Sequence, residues 1–494
     1  MKLIKFLLVS LICCSIIILS ASPGLNQSGT QSDVTVPNPI EINPQPRNND
    51  IPTSQSNNRV DRSGFERVII SGSSAQAVQG FEELQAVEIS NYFGFDLFGK
   101  TVSVDEISDT LCQLGETTGK KAALIYVISL ADRLELLLVL PKDRGCNNPQ
   151  SQQNNNRIII RKFIPEAKRS LVQKVAREFR IGVTDLSNPD DYKAPAQQLY
   201  QWIVTPLISD LLANKIDSLL FSMDTGLRSI PIGAFFDGQQ FLIEQYSIGL
   251  IPSFSLTDTR YVPINNSQIL AMGISKSTQE QTPLPAVAVE IPTLTNKLWR
   301  GVEFLNETAT LENLKSTSRK QRFEIIHVAT HAEFRPGNVS KSYIQFWDNK
   351  LRLNQLRELS QTVGWELPPK VEMLVLSACR TALGSEEAEL GFAGLAIQAG
   401  VKTAIGSLWY ASDEGSLALM TEFYLQLQTA PIKTEALKQA QLALLKEQVR
   451  VEDGQLRLSD GRLIPLPPEI AARGNLILSH PYFWSAYTLV GNWN

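Results

Sequence analysis

FEIIHVATHAEF (323–334) and MLVLSACRTALG (373–384) are the two stretches on which the reading of this 494-residue chain turns. Each opens on a short apolar run, bounded by polar residues, of the kind used by a strand buried on both faces. Each run ends in reactive side chains: Thr330-His331-Ala332 after the first, Cys379-Arg380-Thr381 after the second. In an open α/β sheet, ligands gather outside the carboxyl ends of the strands. His331 and Cys379, 48 residues apart, therefore stand where a site belongs.

Outward from these stretches, apolar strands and helices alternate. DSLLFSMD (217–224), SQILAMGI (267–274) and KTAIGSLW (402–409) read as further buried strands, and Leu390–Gly400, Gly415–Leu427 and Thr434–Val449 as helices. Nearer the N-terminus, AALIYVISL, LELLLVLP and RIIIRKFI read as a meander of strands, with a polar loop, Asn147–Asn156, before the third. Glu166–Arg180, Pro195–Leu212 and Ser74–Gln85 have helical spacing, and Ala86–Leu97 reads as a separate short helical element. Gln279–Pro283 and Leu284–Thr295 together read as a long polar-to-apolar connection, a regulatory loop or a processing site, and Arg450–Pro467, with two Asp-Gly pairs, reads as a hairpin insert. The fold class is α/β, with a mostly parallel central sheet covered by helices on both faces.

The N-terminus stands apart. Lys2 and Lys5 precede an apolar run from Phe6 to Leu19, then small residues, which reads as a signal peptide or membrane anchor over 1–22. Residues 23–63 hold six Pro, seven Asn and no aromatic residue, and read as a disordered tether. A helical lead-in (64–119) and one large domain (120–494) follow. Localisation is expected to be exported, periplasmic or extracellular, or membrane-tethered through the N-terminal segment alone.

Composition narrows the function. With 46 Lys+Arg against 50 Asp+Glu, the net charge of −4 offers no basic footprint for nucleic acid. Five Cys and three His include no paired zinc ligands, so neither metal nor cofactor is expected. Lys-Ser/Thr is missing after Gly391 and Gly394, so they form no phosphate loop, and no G-x-S-x-G elbow exists.

A cysteine and a histidine suit acyl transfer. A thiolate attacks a carbonyl, imidazole moves a proton at neutral pH, and backbone N–H groups past a strand end hold the oxyanion. The amides of Ala332 and Cys379 are the candidates for that last task. A Cys with a His about 50 residues upstream is the caspase-type spacing. The two stretches, with DTGLRSIPIGAFFDGQQFLIEQYSIGLIPS (224–253), GFAGLAIQAGVKTAIGSLWYASDEGS (391–416) and HPYFWSAYTLVGNW (480–493), resemble the CHAT family, a bacterial branch of the caspase–separase–gingipain group. The resemblance covers roughly residues 120–494 and implies a caspase-like sandwich, a His331/Cys379 dyad, cysteine endopeptidase activity on a protein or peptide substrate, and an activating protein partner. A departure is Ala332, where the family commonly has Gly. The alternative reading is a silent or partner-gated scaffold serving as an interaction module.

Other residues carry weaker expectations. Asp413 and Glu414 follow the late strand and would favour a basic residue before the cleaved bond; Asp413 also suits a helix cap. Arg228 would instead meet an acidic side chain. His327, four residues before His331 on one strand, lies too far along it to share a metal and reads as a core residue. His480 reads as the start of the closing strand. In an exported protein, Cys112 and Cys146 are able to pair, leaving Cys379 as the free thiol.

Overall fold

The computed structural model describes residues 60–97, 101–142, 146, 158–368, 370–381 and 385–494, with backbone alone at 378–381. The expected signal, nearly all of the tether and the polar insert 147–156 lie outside these residues. Residues 58–494 form one compact unit.

The lead-in contains α1 (Ser63–Ser71), α2 (Ser74–Phe93) and α3 (Val104–Thr118). Capping boxes start the last two. Ser73 Oγ accepts from the Gln76 N–H at 3.3 Å while Gln76 Oε1 accepts from the Ser73 N–H at 2.8 Å, and Ser103 and Glu106 repeat the exchange. Both helices stop at a glycine in the left-handed region, Gly94 (φ 74) and Gly119 (φ 72). The separate element expected over 86–97 is instead the continuation of α2.

The meander follows as β1 (Ala122–Ser129), β2 (Leu134–Val139) and β3 (Ile159–Ile164), paired antiparallel. Next come α4 (Arg169–Thr184), α5 (Lys193–Ile203) and α6 (Ile208–Ala213). The single helix expected over 195–212 is interrupted by a 3-10 turn, Thr205–Leu207, where Pro206 supplies no N–H.

β4 (Ser218–Met223), α7 (Leu242–Gln245), β5 (Ser247–Leu250), β6 (Ile269–Gly273), α8 (Val287–Thr293), β7 (Gly301–Leu305), α9 (Leu311–Lys320) and β8 (Ile325–Phe334) lead to the first decisive strand. After β9 (Tyr343–Gln345), β10 (Lys350–Arg352) and α10 (Leu353–Val363) comes the second, β11 (Met373–Thr381). α11 (Glu386–Ala393), α12 (Leu395–Ala399), β12 (Thr403–Ser407), α13 (Asp413–Leu427) and α14 (Lys433–Leu445) follow. The tail holds β13 (Arg450–Glu452), β14 (Gln455–Arg457), β15 (Leu463–Pro465), α15 (Pro468–Ala471), α16 (Pro481–Trp484) and β16 (Tyr487–Gly491).

Among the described residues the main sheet has 13 strands, in the order β10-β9-β8-β11-β12-β16-β5-β4-β1-β2-β3, with β6 pairing β8 and β7 beside it. Its centre is mostly parallel: β11 with β8 and β12, β6 with β8 and β7, β4 with β1 and β5. Every residue of β1, β2, β4, β5, β6 and β12 is buried, as a sheet covered on both faces requires. His327 of β8 meets Tyr424 of α13 on one face, and Phe334 of β8 meets Phe392 of α11 on the other.

Three further sequence expectations change. The connection expected over 279–295 is a loop only in its first part: from Val287 it carries α8, whose Val287, Glu290 and Ile291 are buried, and Pro292 inside the helix is what hides it from a reading of propensity. The tail insert is a three-stranded sheet, its first turn made by Asp453 (φ 51) and Gly454 (φ 72), the two-residue turn with both φ positive. His480 precedes the closing strand: it caps α16, its Nδ1 accepting from the Tyr482 N–H at 3.1 Å.

Candidate active site

The register of β8 against β11 builds the site. Met373 to Ser377 pair Ile325 to Ala329 one for one; then Cys379 pairs Ala332. β11 advances two residues while β8 advances three, so β8 carries one extra residue at Thr330–His331, a bulge of the kind that re-aims side chains at sheet rims. Cys379 thus lies on the neighbouring strand one position beyond His331, at the ordinary spacing of about 4.8 Å between strands. The side chain of Cys379 lies outside the described residues.

His331 is partly exposed, and its ring is fixed from two sides. Nε2 lies 2.8 Å from the carbonyl oxygen of Thr282. A carbonyl only accepts, so Nε2 carries the hydrogen, and in the neutral ring Nδ1 is left as the basic nitrogen. Tyr410, 44 % exposed, stacks on the ring at 6.3 Å between centroids and 10° between planes.

The two oxyanion candidates differ in surroundings. Ala332 is flanked on both sides, by Cys379 of β11 and Ile344 of β9, so its N–H is directed within the sheet. β11 pairs β12 only from Met373 to Leu376, so at Cys379 the flank toward β12 is past the ladder. Ala332 has a negative φ, and the extra freedom of a glycine is not needed there.

The remaining candidates are engaged elsewhere. Arg228 is buried; its Nη2 donates to Gln85 Oε1 at 2.6 Å and pairs with Glu88, both on α2. Glu414 is paired with Arg473. Asp413 opens α13 but does not cap it; Ser412 does, its Oγ accepting from the Gly415 N–H at 2.9 Å. Asp413 Oδ2 instead accepts from the Ala286 N–H at 2.7 Å. Burial, with Glu290 and Glu414 nearby, pushes the Asp413 carboxyl up to about 7. His327 is fully buried, Nε2 3.0 Å from Glu290 Oε1 and Nδ1 3.2 Å from the Tyr424 hydroxyl, a core role as its position on the strand implies.

Sequence reasoning missed Thr282 and Tyr410. Thr282 acts through its backbone, which no residue type signals; Tyr410 lay within a stretch quoted for its resemblance, and an aromatic residue just past a strand end was the available cue. Cys112, Cys146 and Glu116 lie together, but Cys112 and Cys146 are joined as a disulfide and so hold no metal as free thiolates.

A family model described as the CHAT domain matches residues 193–492. None of the curated proteins matches the chain. Among solved structures it is similar to Saccharomyces cerevisiae separase in its complex with securin at 2.6 Å, with 9% identity, 84% of this chain and 34% of that chain covered, and a TM-score of 0.42. For the same complex at 3.0 Å the values are 8%, 85%, 33% and 0.37. For the Arg-specific cysteine proteinase gingipain R they are 9%, 62%, 67% and 0.33. The chain spans about a third of the length of the separase chains.

Proposed function

This chain belongs to the CHAT domain family, and from that premise we propose that it is a cysteine endopeptidase working through His331 and Cys379. The observation that carries the reading is the register that sets Cys379 one position beyond His331 on adjacent strands, with His331 Nε2 already engaged by Thr282.

The Cys379 thiol gives its proton to His331 Nδ1, and the thiolate attacks the scissile carbonyl carbon. The carbonyl electron pair moves to oxygen, where the Cys379 N–H is the better-supported donor of the two amides. Collapse of the tetrahedral species breaks the C–N bond, and imidazolium returns its proton to the leaving amine. The thioester is then attacked by water, whose proton passes to Nδ1, and the free acid and thiol are released. Thr282 keeps the ring in the tautomer this sequence needs.

The substrate is a protein or peptide. Asp413 and Glu414 make a poor basic-residue pocket, since one is held by Ala286 and the other by Arg473. Export is supported by the Cys112–Cys146 disulfide, which fits an oxidising compartment. Among the described residues no helix is long and apolar enough to cross a membrane; the membrane contact we propose is through the apolar run Phe6 to Leu19.

Cys379→Ala and His331→Ala should each lower cleavage by at least about 10³-fold while leaving thermal unfolding unchanged. If the unaltered chain cleaves nothing in a diverse peptide library and takes no label from thiol-reactive peptide probes, the peptidase reading fails and the scaffold reading takes its place.

A further inference from the structure

The strap from Ser275 to Ala286 leaves the end of β6 and carries the Thr282 carbonyl to His331. Its base is closed by the Leu284 N–H donating to the Ser275 carbonyl at 2.9 Å. At its first end Asn306 Oδ1 accepts from the Ser275 and Lys276 N–H groups at 2.9 and 3.1 Å. At its second end the tie is the Asp413 carboxylate on the Ala286 N–H at 2.7 Å. Between the ends, Gln279 (φ 47) and Glu280 (φ 64) both stand in the left-handed region, a conformation that side-chain-bearing residues keep only when their surroundings hold them there.

We propose that Asp413 is a positioning residue: by anchoring Ala286 it fixes the strap and so keeps the Thr282 carbonyl on His331 Nε2. The proposal rests on the reading of His331 as the catalytic base. It makes Asp413 neither a pocket charge nor a helix cap, since its carboxylate is turned to the Ala286 N–H. The anchor joins two elements 127 positions apart in sequence, α13 after the late strand and the segment leading into α8. A second contact reinforces it, since α8 is also held to β8 by Glu290 against His327 at 3.0 Å.

Charge on the anchor matters because a carboxylate is a stronger acceptor than a carboxylic acid. Three charged groups face it: Glu290 from α8, Glu414 from α13 and Arg473 from the segment after α15. The two carboxylates oppose ionisation and Arg473 favours it. The strap should therefore tighten as pH rises through neutrality, when Asp413 gains its charge.

The test uses the full chain with ¹⁵N-labelled histidine; with three His in all, His331 is assigned by comparison with His331→Gln. In the unaltered chain the neutral His331 ring should be the Nε2–H tautomer. Asp413→Ala should mix the tautomers, speed amide exchange over residues 278–286 about tenfold and lower kcat about tenfold with little change in KM. Asp413→Asn, whose side-chain oxygen still accepts from Ala286, should keep the tautomer and lose the pH dependence of strap exchange between about pH 6 and 8. Asp413→Ala with unaltered tautomer and strap exchange overturns the proposal. If Asp413→Ala loses its fold, Asp413→Asn decides: pH dependence equal to that of the unaltered chain overturns it. A chain that cleaves nothing, yet shows the tautomer change in Asp413→Ala, sinks the peptidase reading and sustains the strap.

Discussion

His331 and Asp413 differ in how much of their setting the sequence displays. His331 was legible because its chemistry is its own: imidazole at the end of a buried strand, with a thiol at the end of another. Asp413 was not, because its partner is a backbone N–H 127 positions away, and a backbone group carries no residue signature. Its raised pKa has a stability consequence with a definite sign. Between about pH 4, where an unfolded Asp ionises, and about 7 in the fold, the folded chain holds a proton that the unfolded chain has released. Stability is therefore lost as pH rises through this window. Asp413→Asn should flatten that slope and raise unfolding stability above pH 7 by about 2 kcal/mol, less than the full shift because the carboxyl is not sealed from solvent. Urea titrations at pH 5 and pH 8 check this; equal slopes in both proteins would refute it. Tyr410 gives a second prediction. Its ring stacks on one side of His331 and the residue is 44 % exposed, so on the peptidase reading proposed above it would border the bound substrate. Tyr410→Ala should lower kcat/KM about tenfold by loosening the imidazole, with the fold's melting temperature unchanged.

At the scale of elements, strands were easier to read than helices. β4, β6, β8, β11 and β12 are continuous apolar runs because both faces of each are covered, and such runs stand out in any sequence. α8 and the continuity of α2 past Gln85 were hidden for opposite reasons. In α8 the interior Pro292 argues against a helix that packing nevertheless enforces. In α2 a polar row, Glu82, Gln85 and Glu88, faces inward and looks like a solvent face. Glu82 alone accepts from the hydroxyls of Tyr126 and Ser253 and from the N–H groups of Phe254 and Ser255, at 2.8, 2.6, 2.9 and 2.9 Å. Burial of such a group is tolerable only because its acceptor sites are filled. The fit of α8 on the sheet is testable at Gly273, the last residue of β6. A Cβ there would come within 2.5 Å of Ile291 and 2.6 Å of Val287. Gly273→Ala should push α8 off β6, cost about 1–3 kcal/mol of stability and disturb the strap in the same stroke. Unaltered stability with unaltered strap exchange would mean that α8 is not seated as described.

For the molecule as a whole, the sequence divides at residue 120, yet the folded unit runs from residue 58 to 494 without a seam there. The reason lies in a buried ion network that composition cannot display. Arg62, at the start of the described residues, donates Nη2 to both oxygens of Asp224 at 2.7 and 2.9 Å and Nη1 to Glu88 at 3.0 Å. Asp224 closes β4 and also accepts from the Ser129 N–H at the end of β1, at 2.9 Å. Glu88 pairs with Arg228, and Glu389 of α11, a few residues past the cysteine strand, pairs with Arg180 at 3.2 Å and accepts from the Gly226 N–H at 2.9 Å. Taking residues 60–93 away strips Arg228 of Glu88 and Asp224 of the Arg62 guanidinium while leaving both buried, which costs about 3–5 kcal/mol for each such break. It also bares the apolar surface under Ile69, Phe81, Leu84 and Phe93, all buried in the intact chain. A chain beginning at residue 120 should therefore be insoluble or collapsed, with no cooperative unfolding transition, whereas one beginning at residue 60 should unfold as sharply as the full chain. The single change Arg62→Ala should reproduce part of this loss, about 3 kcal/mol, with Asp224→Asn in the same chain restoring some of it by removing the carboxylate left unpaired. If the chain beginning at 120 melts cooperatively at the temperature of the longer one, the lead-in helices are an appendage, and the buried network adds nothing to the stability of the sheet.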